Sequence, residues 1–214
     1  MNKTLVIGAS GKIGRMVVER LHAENKSVVA MVRSQNKTQM FADKGIEVIV
    51  GNLGEAFEVS FAGCDKVVFT AGSGAGTGAE ETLLIDLWGA CKVIDIARHD
   101  DVQHFVMVSS RGADNPDNGP QPIKPYLVAK HFADKHLVNS GLNYTILRPG
   151  QLNDEVGTGL VKTERPENPE LQIISRADTA DAIHYCLHNK STINKTIELY
   201  RGSIPIEQAM SNVS

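Results

Sequence analysis

In the segment Tyr126-Leu127-Val128-Ala129-Lys130 a phenol and an ammonium stand four residues apart, which places both on one face of a helix. A free tyrosine keeps its proton to about pH 10, and a neighbouring cation lowers that limit by favouring the phenolate. Such a pair can give a proton to a substrate oxygen, or take one from it, near neutral pH. A hydroxyl upstream would hold the same oxygen. Ser109 and Ser110 end an apolar run, and in extended backbone they point to opposite faces, so one of the two can serve. The spacing alone is also met by a helix-start tyrosine with a solvated lysine, so the surrounding elements must decide.

A second group of residues suits binding rather than reaction. Leu5-Val6-Ile7 reads as a strand buried on both faces, while Ile13, Val17 and Leu21 recur at helical spacing. Between them Gly8-Ala9-Ser10-Gly11-Lys12-Ile13-Gly14 leaves room only for a tight turn. Glycines there allow close backbone approach, and the free N–H groups at the helix start face a pyrophosphate. Isolated G-x-x-G-x-x-G spacings arise by chance; the position of this one, after the first apolar strand and at the mouth of an amphipathic helix, points to a dinucleotide.

The end of the second strand selects which dinucleotide. A carboxylate there would accept hydrogen bonds from an adenosine ribose, but the residue is Arg33, whose guanidinium suits a 2′-phosphate. Ser34, Lys12 and Lys37 are candidates to support it. NADP(H) is the expected cofactor.

Strand-like and helix-like segments alternate along the chain and would position these groups. Strands are expected at 27–33, 45–51, 65–71, 102–109 and 142–147, with a long helix from about Glu80 to His99 and another from Tyr126 to Asn139. Leu83, Leu84, Leu87, Cys91, Ile94 and Ala97 should share one face of the long helix, and Trp88 should be core. Such alternation calls for a parallel sheet with helices on both faces and the ligand beyond the carboxyl strand ends. Two loops leave that edge, the glycine-rich 72–78 and the proline-rich 113–122. After Pro149-Gly150 an irregular stretch to about Pro169 precedes a strand at 171–174, a helix at 178–188, a strand at 196–200 and a final helix after Pro205.

At 214 residues the chain suits one domain, with a small substrate-side region around 151–170. Net charge is -3 and no Lys/Arg block appears, so nucleic acid is not an expected partner. Cys64, Cys91 and Cys186 lack a C-x-x-C pair and read as reduced core thiols. No apolar run is long enough for a membrane span, and a cytoplasmic location is expected. No heptad or alternating charge face marks an interface, and a homodimer is left open.

Taken together, the glycine loop, Ser109-Ser110, Tyr126 to Lys130 and Leu147-Arg148-Pro149-Gly150-Gln151-Leu152 resemble the atypical branch of the short-chain dehydrogenase/reductase family over nearly the whole chain. The resemblance implies a doubly wound α/β Rossmann fold in which Asn52 and Leu53 flank the adenine. It implies that Ala71 and Gly72 line the pyrophosphate and ribose, and that Pro149 lies beside the nicotinamide. It further implies Tyr126 as acid/base, Lys130 as binder of the nicotinamide ribose and tuner of Tyr126, and Ser110 as the hydroxyl that steadies the substrate oxygen. Where many members carry a helix asparagine this chain has Asp86, either orienting the Lys130 ammonium or simply a buried ion-pair partner.

The expected activity is NADP-dependent hydride transfer with a small carbonyl, alcohol or other electrophilic acceptor. Three alternatives stay open. They are a flavin- or biliverdin-type reductase without tyrosine catalysis, an NADP-dependent epimerase or dehydratase, and a regulator that senses NADP without turning it over. Trp88 as a stacking platform, and His131 or His136 as catalysts, are weaker readings than core or helix surface.

Overall fold

The structure, a computed structural model, describes residues 3–56, 59–74 and 76–213. The chain runs β1 (Thr4–Ile7), α1 (Lys12–Ala23), β2 (Val28–Val32), α2 (Gln39–Ala42), β3 (Glu47–Val50) and β4 (Lys66–Phe69). It continues through α3 (Ala79–Glu81), a π-helical segment (Thr82–Gly89), α4 (Ala90–His99), β5 (His104–Val108), α5 (Lys124–Val138) and β6 (Tyr144–Pro149). The last third holds β7 (Gln151–Asn153), β8 (Leu160–Lys162), β9 (Ile173–Ser175), α6 (Arg176–His188), β10 (Lys195–Arg201), β11 (Ile204–Pro205) and α7 (Ile206–Ser211).

Nine strands form one sheet in the order β11-β8-β10-β6-β5-β4-β1-β2-β3. All pairings from β3 to β10 are parallel, and β8 joins β10 and β11 antiparallel at the far edge. This is the doubly wound Rossmann architecture. The strand order reverses between β1 and β4, and that switch point opens a crevice beyond the carboxyl ends of the strands.

Strand alternation divides the core between the two faces. Val6, Val68 and Val106 join Val17, Val18 and Leu21 of α1 and Ile183 and Cys186 of α6 on one side. Leu5, Ile7, Val67, Phe69 and Phe105 join Val93 and Ile94 of α4 and Leu137 of α5 on the other. Central strands buried on both faces are apolar along most of their length, which is why residues 5–7, 28–32 and 105–108 are legible as apolar runs, with buried Thr4 and His104 at the starts of β1 and β5.

Three expectations change. The stretch after Gly150 is ordered: β7 pairs with β9 in a separate two-stranded sheet, and β8 pairs with β10. The long helix contains the π segment, whose buried residues are Thr82, Asp86 and Gly89, while Leu83, Leu84 and Trp88 face outward. Trp88 is 57% exposed and is not core. Of the cysteines, all unpaired, Cys186 is buried and Cys64 and Cys91 are half-buried. Among the described residues no helix is long and apolar enough to cross a membrane.

Candidate active site

The glycine loop turns on two steric demands. Gly8 has φ +79°, and a Cβ there would lie 2.7 Å from Ala71 N; a Cβ on Gly14 would lie 2.4 Å from Gly8 O. Side chains at either place would drive α1 and the β4 end away from β1. Thr70 completes the seam: its N–H and Oγ1 both donate to Ile7 O at 2.9 Å.

Two cavities share this seam. The first, about 620 Å³, is lined by Gly8, Ser10, Gly11, Arg33, Ser34, Asn52 and Leu53 among others, and by Ala71 and Gly72. Arg33 is exposed and makes no ion pair among the described residues, and Lys37 lines the same cavity. The loop beside them is pinned from within and from α4. Gly54 N–H donates to Asn52 Oδ1 at 3.1 Å, and Lys92 Nζ donates to the carbonyls of Leu53 and Glu55 at 2.6 and 2.7 Å.

The second cavity, about 810 Å³, brings together Lys12, Ile13, Gly14, Ala71, Gly72, Asp86, Ser109, Tyr126 and Lys130. Lys130 is buried and Tyr126 half-buried, one helical turn apart on α5. Lys130 Nζ lies 5.8 Å from the centre of the Tyr126 ring. It donates to Val108 O at 3.2 Å and faces Asp86 Oδ1 at 3.3 Å. Asp86 is fully buried, and its Oδ2 accepts from Ser73 N–H at 2.9 Å. One carboxylate therefore ties the β4 loop to the α5 ammonium. Burial works to lower the Lys130 ammonium, but the Tyr126 oxygen and the Asp86 and Asp134 carboxylates outweigh it and hold it above its ordinary value. Asp134, a further turn along α5, bonds Arg148 at 2.9 and 3.0 Å, yet burial keeps its carboxyl above the usual range.

Some expected residues lie elsewhere. Ser109, not Ser110, faces the cavity; Ser110 Oγ donates to Arg111 O at 3.1 Å and lines neither cavity. The pleat of the extended chain forces that choice, and β5 fixes which serine faces in. Pro149 lies buried in β6 and lines neither cavity. Lys12 is not grouped with Arg33: its Nζ reaches Asp154 Oδ2 at 2.5 Å, and Arg176 Nη1 takes Asp154 Oδ1 at 2.7 Å. Leu152 and Arg176 also line the larger cavity, so the region after Gly150 does form a wall of it. So do Pro122, Ile123 and Pro125 before Tyr126, and Gly72, Ser73, Gly74, Gly76, Thr77 and Gly78 after β4. Ala75 of that loop lies outside the described residues.

His131 and His136 have structural partners: His131 Nδ1 lies 2.6 Å from Ala113 O, and His136 Nε2 lies 2.9 Å from Asp95. Arg176 and Asp154 were not legible as site residues. Neither has a motif around it, and only the return of the chain through β7 and β9 brings them to the glycine loop.

The residues fit a dinucleotide on two observations: the backbone seam that a Cβ would fill at Gly8 and Gly14, and the exposed Arg33 guanidinium in the cavity that Gly8 also lines. Comparison with known proteins agrees. The NAD(P)H-binding family profile matches residues 8–190. The uncharacterized sugar epimerase YhfK of Bacillus subtilis is 42% identical over 216 residues, covering 99% of this chain and 100% of its own. A Bacillus halodurans structure named for an NAD-dependent epimerase/dehydratase superposes with a TM-score of 0.91 at 40% identity, covering 100% of both chains. ChuY, an anaerobilin reductase of Escherichia coli O157:H7, gives a TM-score of 0.72 at 27% identity, covering 94% of this chain and 97% of its own. A glycine seam at the sheet's switch point, a Tyr/Lys helix facing it and these likenesses converge: the chain belongs to the NAD(P)H-binding family.

Proposed function

We propose that the protein is an NADP(H)-dependent oxidoreductase acting in the cytoplasm on a small carbonyl, alcohol or other electrophilic acceptor. The observation that carries this reading is the convergence of Tyr126, Lys130, Asp86 and Ser109 in one cavity that shares Gly11, Thr70, Ala71 and Gly72 with the Arg33 cavity. The bound cofactor would supply or accept the hydride. Tyr126 moves the proton to or from the substrate oxygen, and Lys130 keeps a positive charge beside it. Asp86 holds Lys130 in place and Ser109 offers its hydroxyl to the same oxygen. Arg33, with Ser34 and Lys37 in reach of the same cavity, favours a 2′-phosphate over a bare ribose diol.

Reduction without tyrosine catalysis is the second reading, favoured by the likeness to an anaerobilin reductase. The two differ in one variant. Purified protein is titrated with NADPH and NADH by nicotinamide fluorescence, then offered quinones, flavins, linear tetrapyrroles, aldehydes and ketones, with Tyr126→Phe alongside. Preference for NADPH with turnover that collapses in Tyr126→Phe supports the proposal. Turnover untouched by the substitution favours the second reading, NADH preference overturns the assignment of Arg33, and tight binding without turnover points to a sensor.

A further inference from the structure

Away from both cavities, on the outer face where α1 packs on α6, three metal-binding side chains meet. His184 and His188 stand four residues apart on α6, so their rings project from one face, with centroids 4.4 Å apart. Glu24, the residue that caps the C-terminus of α1, brings its carboxylate to 2.9 Å from His184 Nε2. One ligand atom from each of the three lies within 4.8 Å of the others, and the described residues contain no other such group. We propose that Glu24, His184 and His188 bind one divalent transition-metal ion of the zinc class.

The chemistry of the donors selects that class. Two imidazoles and a carboxylate suit zinc and its borderline neighbours, whereas magnesium and calcium require all-oxygen sets. A His-x-x-x-His pair on one helix with a glutamate from another is a three-ligand set that leaves a fourth position to water. The tautomer of His188 is already arranged. Its Nδ1 lies 2.9 Å from His184 O and can only donate there, which leaves Nε2 with its lone pair. Glu24 also stands at the negative end of the α1 dipole, where a cation beside its carboxylate is favoured. His184 Nε2–H donates to that carboxylate and Lys26 adds a weaker positive charge, so the ion would replace the proton on His184 Nε2.

The site would clamp rather than catalyse. In His184-Tyr185-Cys186-Leu187-His188 no acid stands between the histidines to act as a base on bound water. None of the three residues lines either cavity. An ion there would join the end of α1 to α6 in the same seam as the Arg20–Asp181 ion pair. Because α1 starts at the glycine loop and α6 starts at Arg176, the clamp would fix the far ends of two helices that meet the cavity with their near ends.

The test is titration of tag-free, chelator-treated protein with zinc sulfate by calorimetry, with cobalt absorption as the report on ligand geometry. One equivalent bound, a raised thermal midpoint and loss of at least about tenfold in affinity in both His188→Ala and Glu24→Gln are expected. Circular dichroism of His188→Ala checks that the exposed substitution leaves the fold intact, and its apo turnover should match the parent. Absence of saturable binding overturns the proposal. So does binding that survives both substitutions, which would place the ion on other residues such as the free cysteines.

Discussion

Lys130 and Asp86 show how closely the chemistry depends on single side chains. The Lys130 ammonium sits in a buried place that would discharge it, and the surrounding oxygens hold it charged. Tyr126→Phe should lower kcat by about two to four orders of magnitude, the usual worth of a positioned acid/base, with the NADPH dissociation constant unchanged. Stopped-flow and fluorescence titration separate the two. Asp86→Asn keeps an oxygen for Ser73 N–H but removes a charge that raises Lys130. Burial then gains ground, the ammonium is lost at lower pH, and the alkaline limb of the kcat/KM profile should move toward acid. A profile that keeps its position would show Asp86 to be a structural partner only. The Tyr126–Lys130 pair was readable because helical spacing is local. Which serine faces it was not: Ser109 and Ser110 are equivalent in sequence, and the pairing of β5 between β4 and β6 decides.

Elements place these side chains with little slack. The contact of Gly14 with Gly8 O leaves no space for one methyl group, so Gly14→Ala should displace α1 from the loop. We expect a loss of about 1–3 kcal/mol in urea unfolding, as for overpacked cores, and NADPH binding weakened by at least about tenfold. Unchanged NADPH affinity would remove the loop from the binding site. The π segment teaches the opposite lesson about legibility. Leu83 and Leu84 read as part of a core face and Trp88 as core, yet Thr82, Asp86 and Gly89 turn inward. A helical period fixes the spacing of a stripe but not which stripe is buried. That was settled by partners from distant segments: Lys130 and Ser73 for Asp86, and Leu53 against Gly89, where a Cβ would come within 2.9 Å of Leu53 Cβ. π-helical turns often occur at functional sites, and this one carries the carboxylate inward.

At the scale of the whole molecule, a buried histidine outside the cavities makes stability depend on pH. His104 is buried in β5, and burial pushes its imidazole down to about 4, with Lys66 adding to the effect. Its Nε2 lies 2.9 Å from Thr145 Oγ1, whose own proton goes to Thr192 O at 2.8 Å, so His104 donates there as a neutral ring. The folded value lies below the unfolded value of about 6.5, so the unfolded chain takes up the proton first as pH falls. Stability from this group is complete above about pH 6.5 and is lost progressively toward pH 4, by about 3 kcal/mol in all. Urea unfolding across that range should show a shallower acid limb in His104→Gln than in the parent, and equal slopes would refute the assignment. At this scale too the division of labour has a physical cause. The sequence by itself determined the alternating elements, the glycine turn, the Tyr126–Lys130 spacing and the cation at Arg33, because each depends on residues within one or two turns of the chain. Tertiary structure alone decided that Ser109 faces the cavity, that Lys12 and Arg176 share Asp154 and that Glu24 meets His184. Those contacts join residues brought together by strand order and helix packing, and no local pattern encodes which distant partner will arrive.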